Sequence, residues 1–212
     1  TSSALSLSEE LLARSRSMSE RNHHYEARIR MERALMGAIS ENEIGNELRW
    51  CVDRLNATSP QSALHGIALL NLASWHLNNN EFMMALATHS EISPKSNFPN
   101  ELMALSRLET SRILASMGDY EPAMRHAWIA RSEFSKSSMT PEFLVSNLEW
   151  LNMALDNVDK NALNMDYHVE NAKPREKPGV STISANPEDI QVVVEDIVEI
   201  LETQFANSSE DW

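Results

Sequence analysis

The chain has 212 residues and a formal net charge of −13. It contains only 5 Gly and 8 Pro, a composition that favours helices and leaves little material for β-hairpins or glycine-rich phosphate loops. An acidic surface repels phosphate backbones, so the charge argues against nucleic-acid binding. It indicates either solubility alone or a basic partner.

Cysteine content and hydropathy indicate a compartment. The chain has one cysteine, Cys51, which excludes an internal disulfide and fits a reducing environment. No apolar run is long enough to cross a bilayer. We therefore expect a cytoplasmic protein without a membrane-spanning segment.

Residues 6–20 are predicted to form a first helix. Leu7, Leu11 and Leu12 share one face of this segment, and its arginines lie toward its C-terminal half, where they suit the helix dipole.

From about residue 28, short turn sequences recur every 38 residues. Each consists of a turn former, a polar residue and a bulky apolar residue, and apolar columns keep the same register on both sides. A fixed period in the range of about 20–50 residues indicates a repeat architecture, and the columns predict two amphipathic helices folded back on each other. The turns are Asn42-Glu43-Ile44, Asn80-Glu81-Phe82, Gly118-Asp119-Tyr120 and, more weakly, Asp156-Asn157-Val158.

Proline marks the start of the first helix in three units. Ser59-Pro60, Pro99-Asn100 and Thr140-Pro141 each place Pro near an opening helical turn, where its missing N–H costs nothing. The sequence therefore predicts a repeat domain over residues 1–169. Its helical hairpins are expected near residues 28–65, 66–103, 104–141 and 142–169.

The third unit resembles a known family. It has Gly118-Asp119-Tyr120 at the turn, and Ala123, Ala127 and Ala130 where two helices would touch. In these features it resembles the tetratricopeptide repeat, whose usual period is about 34 residues. The resemblance covers residues 28–169. It implies an all-α, right-handed α-α superhelix of four helical hairpins.

The resemblance also implies a binding groove. In tetratricopeptide proteins the first helices line a concave surface, and two aligned columns would face it here, nine and six residues before each turn. Asparagine and arginine in these columns could hold a peptide backbone or a carboxylate, unless they are simply solvated helix positions. The expected groove residues are Arg33, Asn71, Ser74, Arg112, Asn147 and Trp150.

The repeat pattern stops near residue 169. Residues 170–186 are polar and contain two prolines and a glycine, which predicts a flexible linker. Asn186-Pro187 then signals a helix over residues 187–206, with an acidic tail at 207–212. The predicted helix has a wide apolar face, which we expect to be buried against another part of the protein or against a partner. The expected docking residues are Ile190, Val193, Val194, Ile197 and Leu201.

This last helix has three alternative placements. It could cap the end of the repeats, lie across the groove as a lid, or dock on a second copy of the chain to form a homodimer. The sequence leaves all three open.

Catalytic and metal-binding patterns are missing from the sequence. The seven histidines are scattered without companions at metal-site spacing, and Cys51 lacks the neighbours of a nucleophile. We therefore expect no enzyme activity, no metal and no cofactor. The predicted function is a protein-interaction scaffold or assembly subunit that holds a peptide or helix, which would be basic if the acidity serves binding. The alternative is an obligate homo-oligomer that exchanges its C-terminal helix between chains, without a groove ligand.

Overall fold

The computed structural model describes residues 2–18, 22–174 and 177–209. Within these ranges the regular structure is helical, apart from two isolated β-bridges. This confirms the predicted all-α class with helical hairpins. The chain divides into two compact units, Thr1–Met103 and Ala104–Trp212. The helices are α1 (Ser2–Ser17), α2 (His23–Leu35), α3 (Glu41–Thr58), α4 (Ala63–Asn78), α5 (Phe82–Glu91), α6 (Asn100–Ser116), α7 (Tyr120–Lys136), α8 (Thr140–Leu155), α9 (Met165–Glu170) and α10 (Pro187–Ser209).

In the first unit each helix from α1 to α5 packs against the next one. Apolar side chains at helical spacing build the core, where Ala27, Leu55 and Leu69 are completely buried. Gly66 allows close packing, because a Cβ there would lie 2.6 Å from Leu102 Cδ1.

The first turn of the repeat lies earlier than the sequence pattern predicts. Asn42-Glu43-Ile44 lies inside α3, and the chain turns instead after α2, where Gly37 adopts a φ of +68°. Ser40 then begins α3 with a capping box, in which the Glu43 carboxylate accepts a hydrogen bond from the Ser40 N–H at 3.3 Å. Glycine at a left-handed position and a serine cap therefore decide this boundary.

The N-terminal helix also differs from its predicted bounds. It begins at Ser2 and ends at Ser17, whereas the sequence predicts a helix over residues 6–20. Residues 19 and 20 lie outside the described ranges. α1 packs against α2, and Ser8 and Ser15 are buried on its inner side.

In the second unit, a tight turn joins α6 to α7. Gly118 takes a φ of +79°, which a glycine adopts without strain, and α7 begins at Tyr120. Ser111 Oγ on α6 donates a hydrogen bond to the Ala123 carbonyl at 2.8 Å. The small residues Ala123, Ala127 and Ala130 are completely buried.

The fourth hairpin is completed by a helix from further along the chain. After α8 the expected second helix does not follow, because residues 156–164 are rich in Asp and Asn, which favour turns over helix interiors. Only the short α9 forms there, and it packs against α7. α10 packs against α8 instead. A β-bridge joins Ala185, just before α10, to Val158, just after α8.

The segment before α10 is held in place, although the sequence predicts a flexible linker. We call residues 177–186 the strap. Ala185 forms a parallel β-bridge with Val158, and Ser181 forms one with Asp119. The buried Asp119 carboxylate accepts hydrogen bonds from the Gly179 N–H at 3.0 Å and the Ser181 hydroxyl at 2.5 Å. Backbone pairing and one buried acid thus anchor a segment whose composition suggests flexibility.

Candidate interaction surfaces

The predicted groove residues of the first unit have different surroundings. Arg33 donates a hydrogen bond from Nη1 to Ser8 Oγ at 3.0 Å, so it ties α2 to α1. Ser74 is exposed on α4. Asn71 lies opposite α2, with its Nδ2 4.0 Å from Met31 Sδ. Of the three residues, Asn71 lines a cleft.

That cleft lies between the first helices α2 and α4 and encloses about 410 Å³. Leu35 and Ile67 line it and remain 60% and 40% exposed. Arg28 and Glu32 contribute charges of both signs, and Asn71 adds an amide. An apolar surface with a few polar groups suits the side chain of a bound peptide.

Sequence reasoning missed Leu35 and Ile67. In the first unit the predicted groove residues are polar, whereas the cleft surface is partly apolar. Ile67 stands in an apolar column of the repeat, thirteen residues before its turn, and such columns predict contact between the two paired helices. Only the structure shows that it stays partly exposed.

In the second unit, Arg112 belongs to a charged cluster. Its guanidinium pairs with Glu109 on the same helix, and its Nη2 lies 2.5 Å from Glu149 Oε1 on α8. These ion pairs are partly exposed, so their contribution to stability is small. Because two carboxylates already engage Arg112, a ligand carboxylate would have to displace them.

The structure corrects the groove assignment of Asn147 and Trp150. Both are completely buried. The Trp150 ring packs against Trp128 with ring centroids 5.1 Å apart, and Asn147 Oδ1 accepts a hydrogen bond from Arg131 Nε at 2.7 Å. They are core residues of the second unit, because α7 and α10 pack on this side of α8.

Arg131 links three helices. It donates to Asn147 on α8, pairs with Asp196 on α10, and stacks its guanidinium 4.3 Å from the Trp128 ring centroid on its own helix α7. A largely buried arginine with a carboxylate, an amide and an aromatic partner fixes the position of α10.

Only part of the α10 stripe contacts the rest of the unit. Val193 is completely buried, Ile200 is 8% exposed, and Ile190 and Ile197 pack against the same cluster. This places Ile190, Val193 and Ile197 of the predicted docking residues against the core. Val194 and Leu201 instead remain 41% and 38% exposed.

The exposed part forms a second apolar face. We call Val194, Val198, Leu201 and Phe205 the outer stripe of α10. Their i, i+4, i+7 and i+11 spacing places them along one side of the helix, and Phe205 is 74% exposed. The sequence signalled this feature through the width of the apolar pattern, which exceeds what one contact surface can cover.

Burial shifts the pKa values of two titratable groups in the first unit. Burial raises the pKa of the Cys51 thiol to about 12, and that thiol lies 3.4 Å from the Ala27 carbonyl oxygen. Burial lowers the pKa of His89 to about 4, so this imidazole is neutral near pH 7. A thiol held protonated is a poor nucleophile.

Across residues 2–18, 22–174 and 177–209, no three His, Cys, Asp or Glu side chains gather as a metal site would require. In the same described part of the chain, no helix has both the length and the apolar character of a membrane span.

Comparison with known proteins gave no match to a family model, a curated protein or a solved structure. The resemblance to tetratricopeptide repeats therefore remains a prediction from the sequence.

Proposed function

We propose that this chain is a non-enzymatic protein-interaction module that holds a peptide in the cleft between α2 and α4. The observation that carries the proposal is the pair Leu35 and Ile67, which stay 60% and 40% exposed at a concave surface. A ligand that covers exposed apolar side chains removes them from water, and this burial lowers the free energy of the complex.

The cleft chemistry suggests what the peptide offers. One apolar side chain would contact Leu35 and Ile67. The Asn71 amide can donate to and accept from a peptide backbone, and the carboxylate of Glu32 would favour a nearby lysine or arginine. In this proposal α10 acts as a structural cap on α8.

The proposal can be tested with random peptides of about twelve residues displayed on phage and selected on the full-length chain, since an extended peptide of that size can span the cleft. Each enriched peptide is then synthesised and its affinity measured by fluorescence anisotropy. We expect the double variant Leu35→Ser/Ile67→Ser to lose at least about ten-fold in affinity.

The matched control is Met83→Ser/Met84→Ser, which alters two exposed apolar side chains on α5, outside the cleft. It should bind the peptides as the parent chain does. If the enriched peptides bind both double variants equally well, the cleft is not their site and the proposal fails.

The homo-oligomer alternative stays a prediction that a measurement of mass in solution decides. A mass that rises with protein concentration, and falls to that of one chain when α10 is deleted, would favour exchange of α10 between chains.

A further inference from the structure

The outer stripe of α10 is an apolar surface without a covering element among the described residues. Its four side chains, Val194, Val198, Leu201 and Phe205, are between 38% and 74% exposed. At 1.5 Å of rise per residue the stripe runs for about 17 Å, or three helical turns. That length matches the contact made by one short helix.

Carboxylates border this stripe. Glu195, Glu199 and Glu202 each follow a stripe residue directly, so each lies about 100° farther around the helix. All three are exposed. α10 contains no Lys or Arg between Pro187 and Ser209. The three glutamates are therefore not neutralised by basic residues of the same helix.

The position of α10 explains why a helix would fit there. α10 packs against α8 as the second helix of the last hairpin, and in a repeat stack the outer side of such a helix receives the next unit. The outer face of a terminal repeat is exposed to water and is normally polar. Here that face keeps an apolar stripe, which marks an interaction surface rather than a solvated end.

We propose that the outer stripe binds a basic amphipathic helix of a partner protein. The partner's apolar residues, spaced i, i+4, i+7 and i+11, cover the four residues of the outer stripe. Its lysines or arginines lie against Glu195, Glu199 and Glu202. Two α10 stripes facing each other would bring these carboxylates together, and like charges across an interface are unfavourable, so a second copy is the poorer occupant.

The probes are three labelled synthetic peptides of about 18 residues, long enough to cover the stripe. One has a leucine stripe flanked by lysines, one has the same stripe flanked by glutamates, and one has the lysine peptide's composition in scrambled order. Binding to the full-length chain is measured by fluorescence anisotropy at physiological ionic strength, where purely long-range attraction is screened. We expect the lysine-flanked peptide to bind at least about ten-fold more tightly than either of the others.

Two variants separate apolar contact from charge. Val198→Ser/Leu201→Ser should weaken the lysine-flanked peptide by at least about ten-fold, because it removes the apolar anchors and keeps the charge. Glu199→Gln/Glu202→Gln should weaken it less and flatten its dependence on salt. Met83→Ser/Met84→Ser on α5 is the control and should change nothing. Circular dichroism verifies that each variant is folded.

Three results would overturn the proposal. Equal binding of the ordered and scrambled lysine peptides would reduce the effect to unspecific charge attraction. Unchanged binding by a folded Val198→Ser/Leu201→Ser variant would place the site elsewhere. A dimer of the full-length chain that this same variant abolishes would identify a second copy as the occupant. None of these results depends on the α2–α4 cleft, so the two proposals succeed or fail separately.

Discussion

The hairpin α6–α7 and the pair α8–α10 are connected differently. In the first, α6 ends at Ser116 and α7 begins at Tyr120, with Gly118 taking the left-handed conformation between them. In the second, residues 156–186 separate the helices, and the strap returns the chain to the end of α8. A short turn fixes the second helix locally, whereas a long connection costs more closure entropy.

The longer connection is compensated by specific anchors. Asp119 holds the strap, Arg131 pairs with Asp196, and Val193 fills the core beside Trp150. The comparison shows that a helix distant in sequence can take a repeat position when buried polar contacts replace a tight turn. Each anchor can be removed separately.

Deleting residues 174–212 should have the largest effect. It removes Ile190, Val193 and Ile197 from the core cluster that contains Trp150, together with the buried Ile200, and uncovers Trp150. Since burying one such aliphatic side chain is worth about 1.5–3 kcal/mol, the second unit should lose more than about 5 kcal/mol. Thermal unfolding and mass in solution should show a lower melting temperature or aggregation. A truncated chain that stays monomeric with an unchanged melting temperature would make α10 a detachable element instead of a cap.

Trp150→Ala should have the next largest effect. The ring is completely buried against Trp128, so truncation leaves a cavity and should cost about 3–5 kcal/mol in urea unfolding. Leu148→Ala on the same helix is the control, because Leu148 is 48% exposed and should change stability by less than about 0.5 kcal/mol. Similar losses for the two variants would contradict the placement of Trp150 in the core.

Trp150 also shows which part of the structure could not be predicted from the sequence. Helical periodicity sufficed to predict hairpins and the α10 helix, because an apolar column must be buried whatever covers it. It could not place Asn147 and Trp150, since their burial depends on α10, which lies beyond a polar segment without a periodic pattern. The aligned columns predict the same neighbours for every first helix, whereas α8 packs against α10.

Asp119→Ala should release the strap. The buried carboxylate accepts from the Gly179 N–H and the Ser181 hydroxyl, and loss of such charged hydrogen bonds costs about 1.5–3 kcal/mol. Hydrogen exchange at the Gly179 amide should accelerate, because this amide loses its carboxylate acceptor. Asp156→Ala, at an exposed carboxylate in the neighbouring turn, should leave this exchange rate unchanged. Slow exchange in the Asp119 variant would mean that backbone pairing alone holds the strap.

The strap also shows that amino-acid composition alone does not predict whether a segment is ordered. Pro178, Gly179 and the surrounding polar residues favour an open chain in isolation. Order comes from a partner sixty residues away in sequence, since Asp119 and Gly179 meet only in the folded unit. Asp119 itself looked like an ordinary turn residue, and only its burial identifies its second role.

Gly37→Ala should have the smallest effect and tests where the first hairpin turns. Gly37 has a φ of +68°, which costs an alanine about 1 kcal/mol, while no atom lies close enough to clash with the added methyl group. Asn42→Ala changes the residue at which the sequence pattern places the turn. Because Asn42 is an exposed residue in the first turn of α3, its replacement should leave stability within about 0.5 kcal/mol. Urea unfolding compares the two variants. A larger loss of unfolding free energy for Asn42→Ala than for Gly37→Ala would indicate that the chain turns at the position predicted by the repeat pattern.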